Sequence, residues 1–416
     1  MAPNTAVLAR RAAAALASAV VIGAAAAPAA FADGSPSPAA PGLYGTGDPQ
    51  YDGVFRQSLA LMAQDATGVT PAPQAVDWLA GQQCADGGFA AYRADTRTAC
   101  DPKAGEFTDA TGAAVQALAA VGGRAPVVTK GLDWLKAHQN DDGGWGMTPG
   151  SPSDANSTAA AVGAFAAAGQ DPAKAAAKSG RTPYDALIGL QNGCDKPEAE
   201  RGGFAPNDLA TAGGALGVLG KGYLVAPAAK GSDRPVRAPE CAGDESGKAK
   251  DAPAAAEAAA AQLAKKLEDG QGHLKSAMPG AGDAPDFGTT ADAALALAAG
   301  GHLKAADLPL KWLQDSGNGA AAWAKGNPGR LAKLVLAAHA AGADPRSFGG
   351  ADLVQQLNET GPKPEAAGQK KDEQTEKEKK DKDDKGGSGT LWIVGAFFVA
   401  SVGAGFLISG RRKKQQ

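Results

Sequence analysis

Histidine and cysteine are scarce in this chain, with four of each in 416 residues, and aromatic residues make up only 5%. The four histidines, His138, His273, His302 and His339, are scattered, so they give no ligand cluster. No two cysteines stand at the C-x-x-C spacing of a zinc site. A nucleophile elbow and a P-loop are also missing. Charge of one sign is lacking too: the formal net charge is −3, which argues against a dedicated nucleic-acid binder. That total hides unlike parts. Residues 363–389 carry eight Lys against eight Asp/Glu, and residues 33–362 carry 27 Lys/Arg against 36 Asp/Glu, a net of −9.

The termini set the expected compartment. Arg10 and Arg11 precede a small, apolar run over 12–27, and Ala30-Phe31-Ala32 follows before Asp33. This is the pattern of a secretory signal peptide over 1–32, with a linker over 33–49. The one uncharged run of membrane length is 391–410, LWIVGAFFVASVGAGFLISG. As a helix it would span about 30 Å, one hydrocarbon core. Arg411-Arg412-Lys413-Lys414 follow at once, so the tail 411–416 is expected in the cytoplasm and residues 33–390 outside. Residues 361–390 lack aromatic and large aliphatic residues and read as a disordered, charged stalk. Outside the membrane, Cys84, Cys100, Cys194 and Cys241 are expected as structural disulfides; pairing neighbours is one of three connectivities.

The body, residues 50–360, is a repeat with an insertion over 225–255. Three segments align: AVDWLAGQQCADGGF (75–89), GLDWLKAHQNDDGGW (131–145) and YDALIGLQNGC…RGGF (184–204). Each is helix-like, with Gln five residues past the Trp78, Trp134 or Ala186 position, then Gly-Gly-aromatic. Weaker copies fall at Gln262 and Trp312, and a degenerate last one is ADLVQQL (351–357). A second pattern follows the loops: DATGAAVQALAAVGG, DANSTAAAVGAFAAAG, DLATAGGALGVLG and TTADAALALAAGG. Polar caps open these helices and Gly closes them. Apolar nearly all round, they belong inside, and the Trp-Leu helices outside. Six of each predict an all-α, α6/α6 toroid of helix-hairpin repeats.

Gln139-Asn140-Asp141-Asp142-Gly143-Gly144-Trp145-Gly146, with Gln83 to Phe89 as a second copy, resembles the repeat of the terpene cyclase and protein prenyltransferase superfamily. The resemblance implies the toroid, and it implies bracing roles for Gln83, Phe89, Gln139 and Trp145. Squalene–hopene-type cyclases protonate an alkene from an Asp-x-Asp-Asp-Thr-Ala motif. The matching stretch is Asp154-Ala155-Asn156-Ser157-Thr158-Ala159, where the acid position holds an amide. The Asp-x-Cys of prenyltransferases and the Cys-x-x-Gln of thioester domains are also unmatched at all four cysteines. No catalytic residue, metal or cofactor is therefore expected.

In kind the chain is similar to secreted transcobalamin-like α-barrels, which hold a ligand at the barrel mouth with a second, β-rich domain. That similarity implies a non-catalytic surface protein binding a small ligand such as a corrinoid, or a partner protein. A β-rich ligand-domain protein or an importer are the partners it suggests, besides the membrane. The alternatives are an enzyme on isoprenoid or cell-envelope substrates and a structural surface module. The expected mouth collects polar residues opening the inner helices, Asp109, Asp154, Asn156, Asp208 and Asp286, with Tyr92, Trp145 and Trp323 as aromatic walls. For each acid an ordinary helix cap is the competing role.

Overall fold

A computed structural model describes residues 41–366, apart from 102–104, 230, 240 and 242–246. The signal peptide (1–32), residues 33–40 of the linker (33–49), residues 367–390 of the stalk (361–390), the membrane span (391–410) and the basic tail (411–416) lie outside the described residues. No helix among the described residues is long and apolar enough to cross a membrane.

Alanine and leucine in long runs favour helix, because they lose little side-chain freedom there. Among the described residues they build thirteen α-helices and no strand beyond isolated bridges. In chain order these are α1 (Gly53–Ala66), α2 (Pro73–Gly81), α3 (Thr108–Val121), α4 (Ala125–Ala137), α5 (Ala155–Ala167), α6 (Pro183–Leu190) and α7 (Asp208–Val218). They continue with α8 (Ala252–Asp269), α9 (Phe287–Ala299), α10 (Leu303–Gln314), α11 (Ala320–Ala324), α12 (Pro328–Ala340) and α13 (Leu353–Asn358). Short polar side chains fix the start of several helices. Asp154, Asn207, Asp251, Asp286, Asn327 and Asp352 each accept a backbone N–H of the first turn.

Helix packing closes a ring. α1 packs on α3, α3 on α5, α5 on α7, α7 on α9, α9 on α12, and α12 returns to α1. These are the apolar helices, and most of their residues are buried. The more polar α2, α4, α6, α8, α10 and α13 alternate with them along the chain and pack on their outer side. Because an outer helix separates each pair of inner ones, all six inner helices run the same way. The fold is an α/α toroid.

The repeat motif is the joint between layers. Gln83 Nε2 donates to Gly87 O (3.0 Å) and to Val127 O (2.9 Å) at the next outer helix. Gln139 Nε2 does the same to Gly143 O (2.8 Å) and Ala175 O (2.7 Å). Gln191 Nε2 repeats it to Gly202 O (2.9 Å) and Ala255 O (2.8 Å). The first glycine has positive φ in every copy, and a Cβ there would lie within 2.3 Å of a carbonyl oxygen of the next unit. The aromatic residue's N–H then reaches a threonine of the following inner helix. Phe89 N meets Thr111 Oγ1 (3.0 Å), Trp145 N meets Thr158 Oγ1 (3.1 Å), and Phe204 N meets Thr211 Oγ1 (3.0 Å). Leu274 N to Thr290 Oγ1 (3.0 Å) is a fourth.

The end of the expected linker closes the ring. Gly42 has φ +102, and a Cβ on it would lie 2.3 Å from Gln74 O, so it stands where Gly87 stands in the first repeat. Leu43 and Tyr44 are buried. Gln57, on an inner helix, supplies the missing amide: Nε2 donates to Gly42 O (2.9 Å) and Ala75 O (3.0 Å), and Oε1 accepts from Tyr44 N (2.9 Å). Gly45 N donates to Thr360 O (2.7 Å) and Tyr44 OH to Pro362 O (3.2 Å), which joins the two ends of the described chain. The toroid thus begins at Gly42 and not at residue 50.

Two disulfides, Cys84–Cys100 and Cys194–Cys241, pair neighbouring cysteines, with Cα separations of 5.7 and 5.6 Å.

Candidate functional site

The site follows from the parallel inner helices. Their N-termini share one end of the toroid, the mouth, and their C-termini share the other. The segment after α7 crosses the lower end. Gly222 lies against Gly163 of α5, Tyr223 N donates to Gln116 Oε1 of α3 (2.9 Å), Ala228 N to Ala340 O of α12 (3.1 Å), and Arg234 N to Gly301 O beyond α9 (2.8 Å). Residues 221–229 and 231–236 are a floor, so part of the stretch read as an insertion closes one end of the ring. The result is a cup.

Tyr223 rises from that floor. Its backbone is fixed beside Gln116, seven residues or about 10 Å along α3 from Asp109. Its ring meets Phe55 of α1 edge to face, with centroids 5.7 Å apart. Asp109 and Asp292 both act electrostatically on its hydroxyl. Burial first, then these two negative fields, push the phenol far above its ordinary value, so it stays protonated. Asp292 of α9 is ion-paired with Lys333 of the adjacent α12.

Asp109, in the first turn of α3, is held by the backbone N–H groups of Ala110 (2.8 Å) and its own residue, with no side-chain partner among the described residues. Burial, and to a smaller degree the charge of Asp154, raises its pKa against those backbone donors. Asp109 and Tyr223 are both half-buried. The candidate site groups around Tyr223: Phe55 touches its ring, and Asp109 and the Lys333-paired Asp292 act on its hydroxyl.

Of the expected mouth residues, the structure brings only some together. Asp154 caps α5, taking Ser157 N (2.9 Å) and Ser157 Oγ (2.7 Å). Asp286 caps α9 in the same way with Thr289 N and Oγ, both at 2.8 Å. Asn156 is half-buried over Gly213, at the joint of α5 and α7. Asp208 pairs outward with Lys266 of α8 at 3.5 Å. Trp145 is not a wall: it is 0% exposed and its indole N–H donates to Leu135 O at 2.7 Å, so it belongs to the joint. Tyr92 stacks on Trp78 of α2, at 6.4 Å. Trp323 packs on Phe287 at 5.5 Å and lies under Arg330 at 5.1 Å, on the mouth side of α12.

Tyr223, Asp292, Lys333 and Phe55 were not expected at the site. Two of them left a signal, since Asp292 and Lys333 are isolated charges within otherwise apolar inner helices. Tyr223 left none.

The squalene-hopene cyclase C-terminal domain family matches residues 105–180, the span of α3, α4 and α5 that carries the Gln139–Trp145 joint. No curated protein matches the chain. Among solved structures, one described as a protein from Actinoplanes is 15% identical with a TM-score of 0.43, covering 72% of this chain and 93% of that one. A second, described as a wild-type glycosidase, is 15% identical with a TM-score of 0.40, covering 72% and 88%. The family match supports the similarity to terpene cyclase and prenyltransferase-like α/α toroids.

Proposed function

We propose that the protein is an extracellular toroid, held to the membrane through residues 391–410, that binds a small ligand in the cup without chemistry. The observations that support this reading are the closed ring of inner helices, the segments 221–229 and 231–236 across one end of it, and the half-buried Asp109 and Tyr223, whose side chains have no side-chain hydrogen-bond partner among the described residues. A structural module would fill such a space with apolar side chains, because a buried carboxyl without a side-chain partner is costly. Two disulfides support an oxidising compartment. The amide at Asn156, where the cyclase motif has its acid, supports a role without alkene protonation.

Native mass spectrometry of the chain, after incubation with cobalamins and with polyprenyl lipids, tests the reading. A retained ligand lost in Tyr223→Phe supports it. Failure to retain either class, with thermal stability unmoved by both, overturns the binding of these small ligands. A second reading, an enzyme, is favoured by one observation: Asp109 keeps its proton to a higher pH than an ordinary carboxylic acid, as a general acid does. Product formed from a polyprenyl substrate, and abolished in Asp109→Asn, would select it.

A further inference from the structure

A groove in the outer layer shares no lining residue with the cup. The loop after α6, the segment 237–239, the segment 247–250 and the first two turns of α8 enclose about 520 Å³. The Cys194–Cys241 disulfide ties the loop to the chain just past residue 239. Gly247 permits a close approach on the other side: at φ +54, a Cβ on it would lie 2.3 Å from Cys194 Cβ. Lys248 Nζ then donates to Gly189 O (3.1 Å) and to Gln191 O, which fixes the returning segment against the end of α6.

The charge of this groove is the reverse of the domain's. Residues 33–362 carry a net −9, yet four cations, Arg201, Arg237, Lys248 and Lys250, line the groove against one acid, Glu257. Glu257 is already paired with Arg234, which is not part of the lining. Asp251, next to Lys250, is engaged as the cap of α8, where it accepts from Ala254 N (2.8 Å). Arg237 and Lys250 are exposed and have no hydrogen-bond or ion-pair partner among the described residues. Glu240, Asp244 and Glu245, in the span between the two segments, lie outside the described residues.

Cations gathered in one concavity repel each other, and a multivalent anion relieves that repulsion. A phosphate monoester brings close to two charges and three acceptor oxygens on one centre, so several cations can share it. Guanidinium groups meet such oxygens in pairs. The volume exceeds that of a bare phosphate and suits one carried on a small polar body. We infer that the groove binds a phosphate monoester, free or as the head of a lipid, through Arg201, Arg237, Lys248 and Lys250.

Isothermal titration calorimetry with the full chain in phosphatidylcholine nanodiscs, at constant ionic strength, tests this. The probes are glycerol 3-phosphate, glycerol and acetate. Glycerol 3-phosphate should bind, glycerol should not, and acetate should bind at least about tenfold more weakly. Arg237→Ala with Lys250→Ala removes two unpartnered side chains and should weaken glycerol 3-phosphate at least about tenfold. Lys265→Ala with Lys311→Ala, two exposed cations outside the groove, should leave its binding unchanged. Repeating the titration in nanodiscs that contain phosphatidic acid names the source: competition assigns the lipid head, and unchanged binding assigns the free ester. Failure of glycerol 3-phosphate to bind, or binding that ignores Arg237→Ala with Lys250→Ala, overturns the site and leaves the cup untouched. Equal binding of acetate overturns the ligand class alone.

Discussion

Glu106 in the first repeat is a carboxylic acid where the second repeat has a serine, and replacing it exposes what it does. Each residue stands five before the threonine of its joint, Thr111 or Thr158. In the second repeat, Asp142 Oδ1 accepts from Gly144 N (2.9 Å) and from Ser153 Oγ (2.7 Å). In the first, Asp86 Oδ1 accepts from Gly88 N (3.3 Å), and Glu106 is the side chain hydrogen-bonded to Asp86. Two carboxyls this close repel when both are charged, which favours the protonated form of Glu106. Burial first, then the charge and hydrogen bond of Asp86, raise the Glu106 pKa; Trp134 and Arg93 oppose this. Trp134 Nε1 is close, since a Cβ on Gly88 would meet both it and Glu106 Oε2, but it makes no well-formed hydrogen bond.

The folded pKa is therefore above the unfolded value of 4.5, and the folded state keeps a proton that the unfolded chain has lost. Stability from this pair is complete below the unfolded pKa and falls as pH rises through the folded one. A buried hydrogen bond to a charged acceptor contributes about 1.5–3 kcal/mol; half open to water, this one contributes about 1 kcal/mol. Glu106→Gln donates at every pH. Urea unfolding at intervals from pH 4 to 8 should show the variant level with the natural chain near pH 4 and about 1 kcal/mol more stable at pH 8. Asp52, Asp65 and Asp109 also have raised pKa values and tilt both curves alike, so the difference belongs to Glu106. A difference that stays flat across this range would refute the raised pKa of Glu106.

Gln57→Leu strips three buried backbone groups, Tyr44 N, Gly42 O and Ala75 O, of one partner each; chemical denaturation should show a loss of about 3 kcal/mol. Gly143→Ala, at φ +90 with its Cβ 2.3 Å from Thr182 O, should cost about 3 kcal/mol, whereas Gly68→Ala, at φ +71 with no atom within 4 Å, should cost only about 1 kcal/mol. Equal losses would show that backbone strain, and not close approach, fixes the motif. Gln116→Ala should release the floor, read as faster hydrogen exchange at Gly222 to Val225 with the inner helices still protected.

Local features of the fold were the ones that could be read in advance. The Gln, Gly-Gly and aromatic positions lie within one loop, and their spacing is set by a turn that recurs, so Gln83, Gln139 and Gln191 could be aligned as text. Gln57 could not, because it brings the same amide to the same carbonyls from an inner helix. The Tyr44–Gly45 segment was hidden for a related reason: its partners Pro362 and Thr360 are more than 300 residues away, and only ring closure brings them together.

For the cup, the useful signal was a violation of the pattern. A charge inside an apolar inner helix faces a desolvation penalty, so it persists only where it is paired or where the lumen admits water. Asp292 in TTADAALALAA and Lys333 in GRLAKLVLAA are such violations, and they prove to face each other. The acids at the helix starts looked equally polar, but Asp154 and Asp286 already fill both oxygens as caps and have little left for a ligand. Asp109 differs because Phe107, and not an acid, precedes α3 as its cap, which leaves the carboxyl without a side-chain partner. A polar residue at the start of a helix is thus informative about a site when another residue occupies the cap, and an isolated charge deeper in an apolar helix is informative without that condition.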